Sequence, residues 1–259
     1  MKLPIILKKE VYLMKTLTPK TYVWAHRGAS GHAPENTLEA FELAAKMGAD
    51  GVELDVHFTK DGEIVVCHDE KIDRVSNGQG SIPAYTYAEL LNFDFGYKFY
   101  NELRGIKIPT LEQVYALLKD TPLVINVEIK SADPEMPARC IEIAKKHGML
   151  DRTYFSSFNH FQLVKAREVE PTVSVAPLYS FNMVRAWDYC GFLQANAVHP
   201  HFNQINLDKS YVEKCHLNNI KVNVWTTNTE SDITAMLEAG VDGVITNYPD
   251  VAIGLRDEK

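Results

Sequence analysis

Three acidic side chains occupy alternate positions in two short runs that are otherwise rich in apolar residues. Glu53 and Asp55 lie in the run Gly51–His57, and Glu128 lies in the run Ile125–Lys130. Because successive side chains of a strand point to opposite faces, the acidic residues share one face and the apolar residues the other. Oxygen ligands suit Mg²⁺ or Ca²⁺ better than zinc. The pattern therefore predicts a three-carboxylate cluster that can hold one divalent cation.

A salt-bridged layer of carboxylates would explain the same alternation. Lys130 shares the face of Glu128, and Arg27 follows the first strand-like run, so either cation could be the partner of these acids. Buried charges are unfavourable unless they are paired or bind a metal. Strand parity alone does not separate the two interpretations.

Two histidines at the ends of strand-like runs are candidates for proton transfer. His26 ends the first run, and His68 ends the short run Glu63–His68, which follows a tight turn at Asp61. A hairpin at this turn would bring His68 back to the neighbourhood of Asp55. Paired histidines beside a metal–carboxylate cluster suit acid and base chemistry near neutral pH.

Other polar residues near these runs are weaker candidates. His57 shares the inward face but is predicted to lie past the strand end, and either His199 or His201 could line the pocket. Asn36 and Thr37 are predicted to cap the first helix rather than to contact a substrate.

The fold that positions these residues is predicted from the alternation of short strands with amphipathic helices. Such alternation favours parallel strands joined by helical crossovers, and eight such units predict an α/β protein with a (β/α)8 TIM barrel. An open doubly wound sheet usually carries a GxGxxG turn, which this sequence lacks. The predicted strands are Tyr22–Gly28, Gly51–Thr59, Leu123–Lys130, Thr153–Phe158, Thr172–Leu178, Ala195–His201, Ile220–Thr226 and Gly243–Asn247.

One segment after the second strand breaks this alternation. Glu63–His68 is predicted to return antiparallel to that strand, and residues 69–109 form an insertion rich in Asn, Gly and aromatic residues. We expect a small subdomain beside the barrel mouth that acts as a lid, with a passive surface subdomain as the alternative. Residues 1–20 are predicted to be an N-terminal extension, and residues 21–259 a single domain.

The composition limits the partners and the compartment. The 259 residues include 34 acidic and 27 basic side chains, a net charge of -7, which argues against nucleic-acid binding. No run approaches the ~20 apolar residues of a membrane span, and Met1–Leu7 is too short for a signal-peptide core. We therefore expect no membrane anchor and a cytoplasmic location. The four cysteines form no CxxC pair and are expected to be reduced core residues.

The ordered motifs of residues 22–250 resemble the glycerophosphodiester phosphodiesterase family. Any one motif is weakly specific, but the ordered set is strongly specific. The segments that carry the resemblance are His26–Thr37, Glu53–Val56, Thr59–Gly62, Val65–Asp69, Arg74 with Asn77–Gly80, Ile108–Leu111, Val127–Lys130, Ser156–Phe158, Val224–Thr226 and Gly243–Pro249.

The resemblance implies a divalent-metal-dependent hydrolase that cleaves a glycerophosphodiester to sn-glycerol 3-phosphate and an alcohol. It leaves open whether the attacking oxygen comes from water or from the glycerol hydroxyl of the substrate. We favour His26 as the base and His68 as the acid. The site it implies consists of the Mg²⁺ or Ca²⁺ ligands Glu53, Asp55 and Glu128, the acid–base pair His26 and His68, the phosphate-binding Arg27 and Lys130, and Trp225 on the glycerol side.

Two other functions are weighed against this one. A related lysophospholipase D-type enzyme on the same barrel would favour an apolar mouth and membrane contact, and the acidic chain without an evident amphipathic anchor disfavours it. A non-catalytic binding protein would carry a decayed site, whereas every candidate catalytic and metal-binding residue is present here. The small-molecule hydrolase is therefore preferred, and the sequence does not predict its oligomeric state.

Overall fold

A closed barrel of eight parallel strands forms the centre of the fold. The computed structural model describes residues 20–258, so the predicted N-terminal extension lies outside the described residues except for Lys20. The barrel runs β1-β2-β4-β5-β6-β7-β8-β9 and closes by pairing of β9 with β1, which confirms the predicted TIM barrel. The strands are β1 (Tyr22–His26), β2 (Gly51–Phe58), β3 (Ile64–Val66), β4 (Val124–Ile129), β5 (Thr153–Ser157), β6 (Ser174–Tyr179), β7 (Ala197–Pro200), β8 (Lys221–Val224) and β9 (Gly243–Thr246).

Helices cover the outer face of the barrel. Val52, Leu54 and Val56 of β2 are fully buried in the main hydrophobic core, which also contains the apolar faces of the helices. The helices are α1 (Leu38–Met47), α2 (Tyr87–Leu90), α3 (Tyr97–Tyr100), α4 (Leu111–Leu118), α5 (Met136–Lys146), α6 (His160–Val169), α7 (Ala186–Leu193), α8 (Asn203–Leu207), α9 (Tyr211–Leu217), α10 (Glu230–Glu238) and α11 (Pro249–Asp257). Within residues 20–258, no helix is long and apolar enough to cross a bilayer.

The ends of β1 and α1 follow from local backbone chemistry. β1 stops at His26, two residues earlier than predicted, because Arg27 and Gly28 adopt positive φ angles of 55° and 78°. A Cβ on Gly28 would lie 2.6 Å from the backbone carbon of Ala40, so only glycine fits this turn. Thr37 caps α1 through its hydroxyl group, as predicted, and α1 therefore begins at Leu38.

The insertion after β2 has a hydrophobic core of its own. β3 pairs antiparallel with β2, with Val66 opposite Val56, as the hairpin prediction required. Residues after His68 then build a second cluster around Ile72, Ile82, Leu90 and Phe95, and Phe93 packs against it. The predicted insertion subdomain is therefore present, and these two aromatic side chains belong to its core.

The four cysteines are core residues, as predicted. Each of them is buried and none forms a disulfide bond. Burial raises the pKa of the Cys67 thiol to about 12, so it is protonated near neutral pH. The four cysteines are Cys67, Cys140, Cys190 and Cys215.

Candidate active site

Strand register brings the candidate residues together at the C-terminal ends of β1, β2 and β4. His26 on β1 is the register partner of Glu53 on β2. One inward position further along β2, Asp55 is paired with Glu128 on β4. Parallel strands place equivalent positions at the same height in a barrel, so these side chains converge at one mouth.

The three carboxylates form a compact, buried cluster. Ligand oxygens of Glu53, Asp55 and Glu128 all lie within 4.8 Å of one another. The three residues are at most 8% exposed, and Oδ1 of Asp55 is buried without a hydrogen-bond partner. An unpartnered buried oxygen in an all-oxygen donor set fits a hard divalent cation.

The pKa values within the cluster separate strongly. Burial and the neighbouring Asp55 carboxylate raise the pKa of Glu53 well above its ordinary value, and raise that of Glu128 to about 7. Burial also opposes the charge on Asp55, but Arg27 and Lys130 outweigh it and hold the pKa of Asp55 below its ordinary value. The cluster therefore favours bound protons or a bound cation over three free negative charges.

Two cationic side chains contact the carboxylate cluster, so features of both a metal site and a salt-bridged layer are present. Nζ of Lys130 lies 2.8 Å from Oε1 of Glu128 and 3.8 Å from Oδ1 of Asp55. Nε of Arg27 lies 3.5 Å from Oδ2 of Asp55, while its backbone N–H donates to Glu53 at 3.0 Å. Two cations face three carboxylates, so a salt-bridged layer exists without neutralising the cluster.

His26 is held in one orientation at the edge of the carboxylates. Its Nδ1 donates to Oδ1 of Asn247 at 2.6 Å, and its Nε2 lies 3.9 Å from Oε2 of Glu53. Burial and the adjacent Arg27 guanidinium lower the pKa of His26 to about 4. The imidazole is therefore neutral near pH 7, with Nε2 free to accept a proton.

His68 lies at the end of a chain of ion pairs. Its Nδ1 lies 2.6 Å from Oδ1 of Asp69, and Oδ2 of Asp69 accepts from Nε of Arg74 at 2.6 Å. Arg74 also contacts both carboxylate oxygens of Glu35, which accepts in turn from Arg27 at 2.9 Å. Despite partial burial, the bonds from Arg74 and His68 lower the pKa of Asp69 to about 2. An ionised Asp69 orients His68 and links the insertion to the carboxylate cluster.

Several supporting residues have roles that differ from those expected. Asn36, predicted only as a helix cap, donates from Nδ2 to Oδ2 of Asp55 at 2.9 Å. His57 is no ligand of the cluster, because its Nε2 bonds to the carbonyl oxygen of His68 at 3.1 Å. His199 is fully buried, and its carbonyl oxygen accepts from Nε1 of Trp225 at 2.8 Å. Asn36 lies inside a segment that carries the resemblance, which was the available signal.

A cavity of about 80 Å³ joins the candidate residues at the barrel mouth. Besides Trp225, which the resemblance implied, the apolar side chains of Phe158, Leu178 and Ile245 line it, and the sequence patterns did not indicate these three as site residues. Within residues 20–258, His68 is the one lining residue from the β3 hairpin, and no aromatic of the insertion lines the cavity. The lining residues are His26, Arg27, Glu53, His68, Asn126, Glu128, Lys130, Phe158, Leu178, Trp225, Thr226 and Ile245.

Comparison with known sequences places the chain among phosphodiesterases. A model of the glycerophosphoryl diester phosphodiesterase family matches residues 26–251. The chain is 39% identical to a glycerophosphodiester phosphodiesterase of Caldanaerobacter subterraneus, across 91% of this chain and 98% of the relative. It is 37% identical to a glycerophosphodiester phosphodiesterase of Bacillus altitudinis, across 92% of this chain and 99% of the relative.

Solved structures show the same architecture. A phosphodiesterase of Oleispira antarctica, solved in complex with the product sn-glycerol-3-phosphate, superposes with a TM-score of 0.86 at 32% identity, covering 91% of this chain and 96% of the other. A putative glycerophosphoryl diester phosphodiesterase of Silicibacter pomeroyi superposes with a TM-score of 0.84 at 25% identity, covering 92% and 93%. Fold, site and family model agree, and the chain belongs to the glycerophosphoryl diester phosphodiesterase family.

Proposed function

We propose that this protein hydrolyses glycerophosphodiesters to sn-glycerol 3-phosphate and an alcohol in a metal-dependent reaction. The observation that carries the proposal is the cluster of Glu53, Asp55 and Glu128, with His26 and His68 lining the same cavity. The relatives support the substrate class, and the product complex of the Oleispira antarctica enzyme supports the product. The geometry also supports a role for each of the individual residues of the site.

His26 is the proposed base. The bond to Asn247 keeps the proton on Nδ1, so the lone pair of Nε2 points toward the carboxylate cluster. Its pKa of about 4 keeps the ring neutral at the pH of the reaction, as a base requires before it accepts a proton. Asn247 therefore fixes the tautomer that this role needs.

His68 is the proposed acid. Asp69 accepts from Nδ1, so Nε2 is the atom that presents a proton to the departing alkoxide. In the structure, Nε2 lies 3.2 Å from Nζ of Lys130, which places it beside a phosphate-binding cation. The bond from Nδ1 to Asp69 fixes the orientation of the ring, so Nε2 and not Nδ1 is available to the substrate.

Arg27 and Lys130 are the proposed phosphate ligands. Both line the cavity, and nearby carboxylates raise the pKa of each above its ordinary value despite partial burial. Fixed positive charges stabilise the negative charge that accumulates on a phosphoryl group in the transition state. A Mg²⁺ or Ca²⁺ held by the three carboxylates would add Lewis-acid stabilisation of the same charge.

Trp225 is the proposed wall of the glycerol subsite. Its Nε1 is committed to the carbonyl oxygen of His199, so the indole offers the cavity mainly its apolar surface. An apolar wall facing carboxylates suits the carbon backbone of glycerol on one side and its hydroxyl groups on the other.

Release of glycerol 3-phosphate tests the proposal. Purified protein would be supplied with glycerophosphocholine, glycerophosphoethanolamine and glycerophosphoglycerol, each with Mg²⁺, with Ca²⁺ and with excess chelator. We expect release from these substrates with at least one metal and none with chelator. Faster turnover of lysophosphatidylcholine would favour the lysophospholipase D-type alternative, and no turnover of any diester would favour a binding protein.

A cytoplasmic location stays a prediction from the composition.

A further inference from the structure

An apolar groove lies beside the catalytic cavity, between the first turns of α6 and the neighbouring α7. It has a volume of about 440 Å³ and is lined by Phe158, Phe161, Val164, Tyr189 and Leu193, together with Asn159 and His160. Phe161 is 84% exposed and Val164 is 41% exposed, so the groove is open to solvent. Phe158 is also an exposed apolar side chain, so three such side chains line one groove. Contiguous exposed apolar side chains are typical of binding surfaces.

Phe158 connects this groove to the reacting centre. Its ring lines both the groove and the catalytic cavity. It packs edge-on against Trp225, with ring centroids 5.5 Å apart, and Nζ of Lys130 lies 5.9 Å from the centre of its ring. Phe158 is thus the residue that the groove shares with the catalytic cavity, and it lies next to Lys130.

The lining of the groove favours an apolar occupant. No lining residue is an acid, a lysine or an arginine. His160 is committed on both ring nitrogens, to the hydroxyl of Tyr189 at 2.6 Å and to the carbonyl oxygen of Leu178 at 2.9 Å. The polar groups of His160 and Tyr189 thus satisfy one another and leave apolar surface for a ligand.

The two halves of a glycerophosphodiester differ in the same way as the two cavities. The catalytic cavity contains carboxylates and cations, which suit the glycerol phosphate, whereas the groove contains aromatic and aliphatic side chains. We propose that the groove binds the alcohol half of the substrate, and that this alcohol carries an alkyl or acyl chain of several methylene groups. The inference rests on the proposed function and names its substrate class.

The reaction on such a substrate is an ordinary hydrolysis. The attacking oxygen forms a bond to phosphorus, and the bond from phosphorus to the alcohol oxygen breaks. His68 gives its proton to that oxygen, His26 takes the proton of the attacking group, and the fatty alcohol leaves through the groove. Phe93 and Phe95 of the insertion lie in its own core and line neither the catalytic cavity nor the groove.

A series of sn-glycerol 3-phosphate esters of ethanol, butanol, hexanol and octanol tests the proposal, each used below its micelle concentration. Full burial of one methylene group raises kcat/KM about fourfold, and an open groove buries each methylene group only in part. We expect kcat/KM of the wild-type protein to rise at least about tenfold from the ethyl to the octyl ester. The doubly substituted variant Phe161→Ser with Val164→Ser should reduce this rise to about threefold or less.

Leu217→Ser provides the matched control. Leu217 is 77% exposed on α9 and lines a different cavity together with Thr21 and Val241, near the N-terminal ends of β1 and β9. This variant should keep the full dependence on chain length. Both substituted residues of the groove are exposed, so the double variant is expected to fold.

The outcomes separate this inference from the function on which it rests. If the ethyl ester is not hydrolysed with any metal, the proposed function fails. If it is hydrolysed but kcat/KM does not depend on chain length, the apolar alcohol is refuted and the proposed function stands. A chain-length dependence that survives in the double variant would place the chain outside this groove. A different result is that the double variant loses a binding to anionic phospholipid vesicles that the wild-type protein shows, and keeps the wild-type dependence on chain length. That result would refute the alcohol-binding role and make the groove a membrane-contact surface.

Discussion

Chelation should make the stability of this protein depend on pH through the buried carboxylates. The pKa of Glu128 is raised from 4.5 to about 7, and that of Glu53 is raised in the same direction. Since the folded state favours the protonated acid, protonation of Glu128 stabilises the folded protein. This stabilisation is complete below the unfolded pKa of 4.5 and is lost as pH rises through about 7. A change of this size corresponds to about 3 kcal/mol of unfolding free energy for Glu128.

The assay is thermal unfolding with excess chelator at several pH values between about 5 and 8. For a domain of this size, about 3 kcal/mol should lower Tm by roughly 6–12 °C across that range. Saturating Mg²⁺ or Ca²⁺ should remove most of the decrease, because the cation replaces the protons as the partner of the carboxylates.

Glu128→Gln is the control for other groups that titrate in the same range. Burial lowers the pKa of His26 to about 4 and that of His199 to about 3, so these residues destabilise the fold as pH falls below about 6.5, which is the opposite trend. The difference between wild type and Glu128→Gln cancels their contribution. Equal dependence of Tm on pH in the two proteins would refute the assignment of the effect to Glu128.

Four further substitutions test individual roles. His26→Ala and His68→Ala should each lower kcat at least ~10²-fold with Tm nearly retained, and near-normal turnover would remove that residue from the mechanism. Asp69→Asn should lower kcat by about 10–100-fold with little change in KM, since it removes the carboxylate that orients His68 and pairs with Arg74; an unchanged kcat would show that Asp69 is dispensable. Trp225→Phe should lower unfolding stability by about 1 kcal/mol through loss of the bond to His199, while KM changes little; a large rise in KM would show that the indole N–H binds substrate.

Strand parity and the alternation of elements were sufficient to predict the barrel and the face that carries the carboxylates. Apolar residues of β2 pack outward and its acids point inward, which follows from a period of two and needs no knowledge of the partners. The hairpin at Asp61 was predictable from the tight turn, because two strands joined by so short a connection can pair only antiparallel.

The support around the site was harder to predict because it depends on contacts between distant segments. Asn247 and His26 are 221 positions apart, and Arg74 and Glu35 are 39 apart. No local pattern reports such pairs, although all four residues lie in segments that resemble the family. The cavity-lining role of Phe158 was missed for a related reason: Phe158 follows β5, and its ring packs against Trp225, which follows β8.

The ion-pair chain from His68 to Arg27 has a consequence for exchanging loops among related barrels. Arg74 belongs to the insertion, whereas Glu35 belongs to the segment between β1 and α1, so two parts of the chain that are distant in sequence share one ion pair. A graft that replaced the insertion alone, without an arginine equivalent to Arg74, would leave Glu35 with the guanidinium of Arg27 alone. Chimeras should therefore take both segments from the same parent. Among relatives, substitutions at positions 35 and 74 are expected to covary.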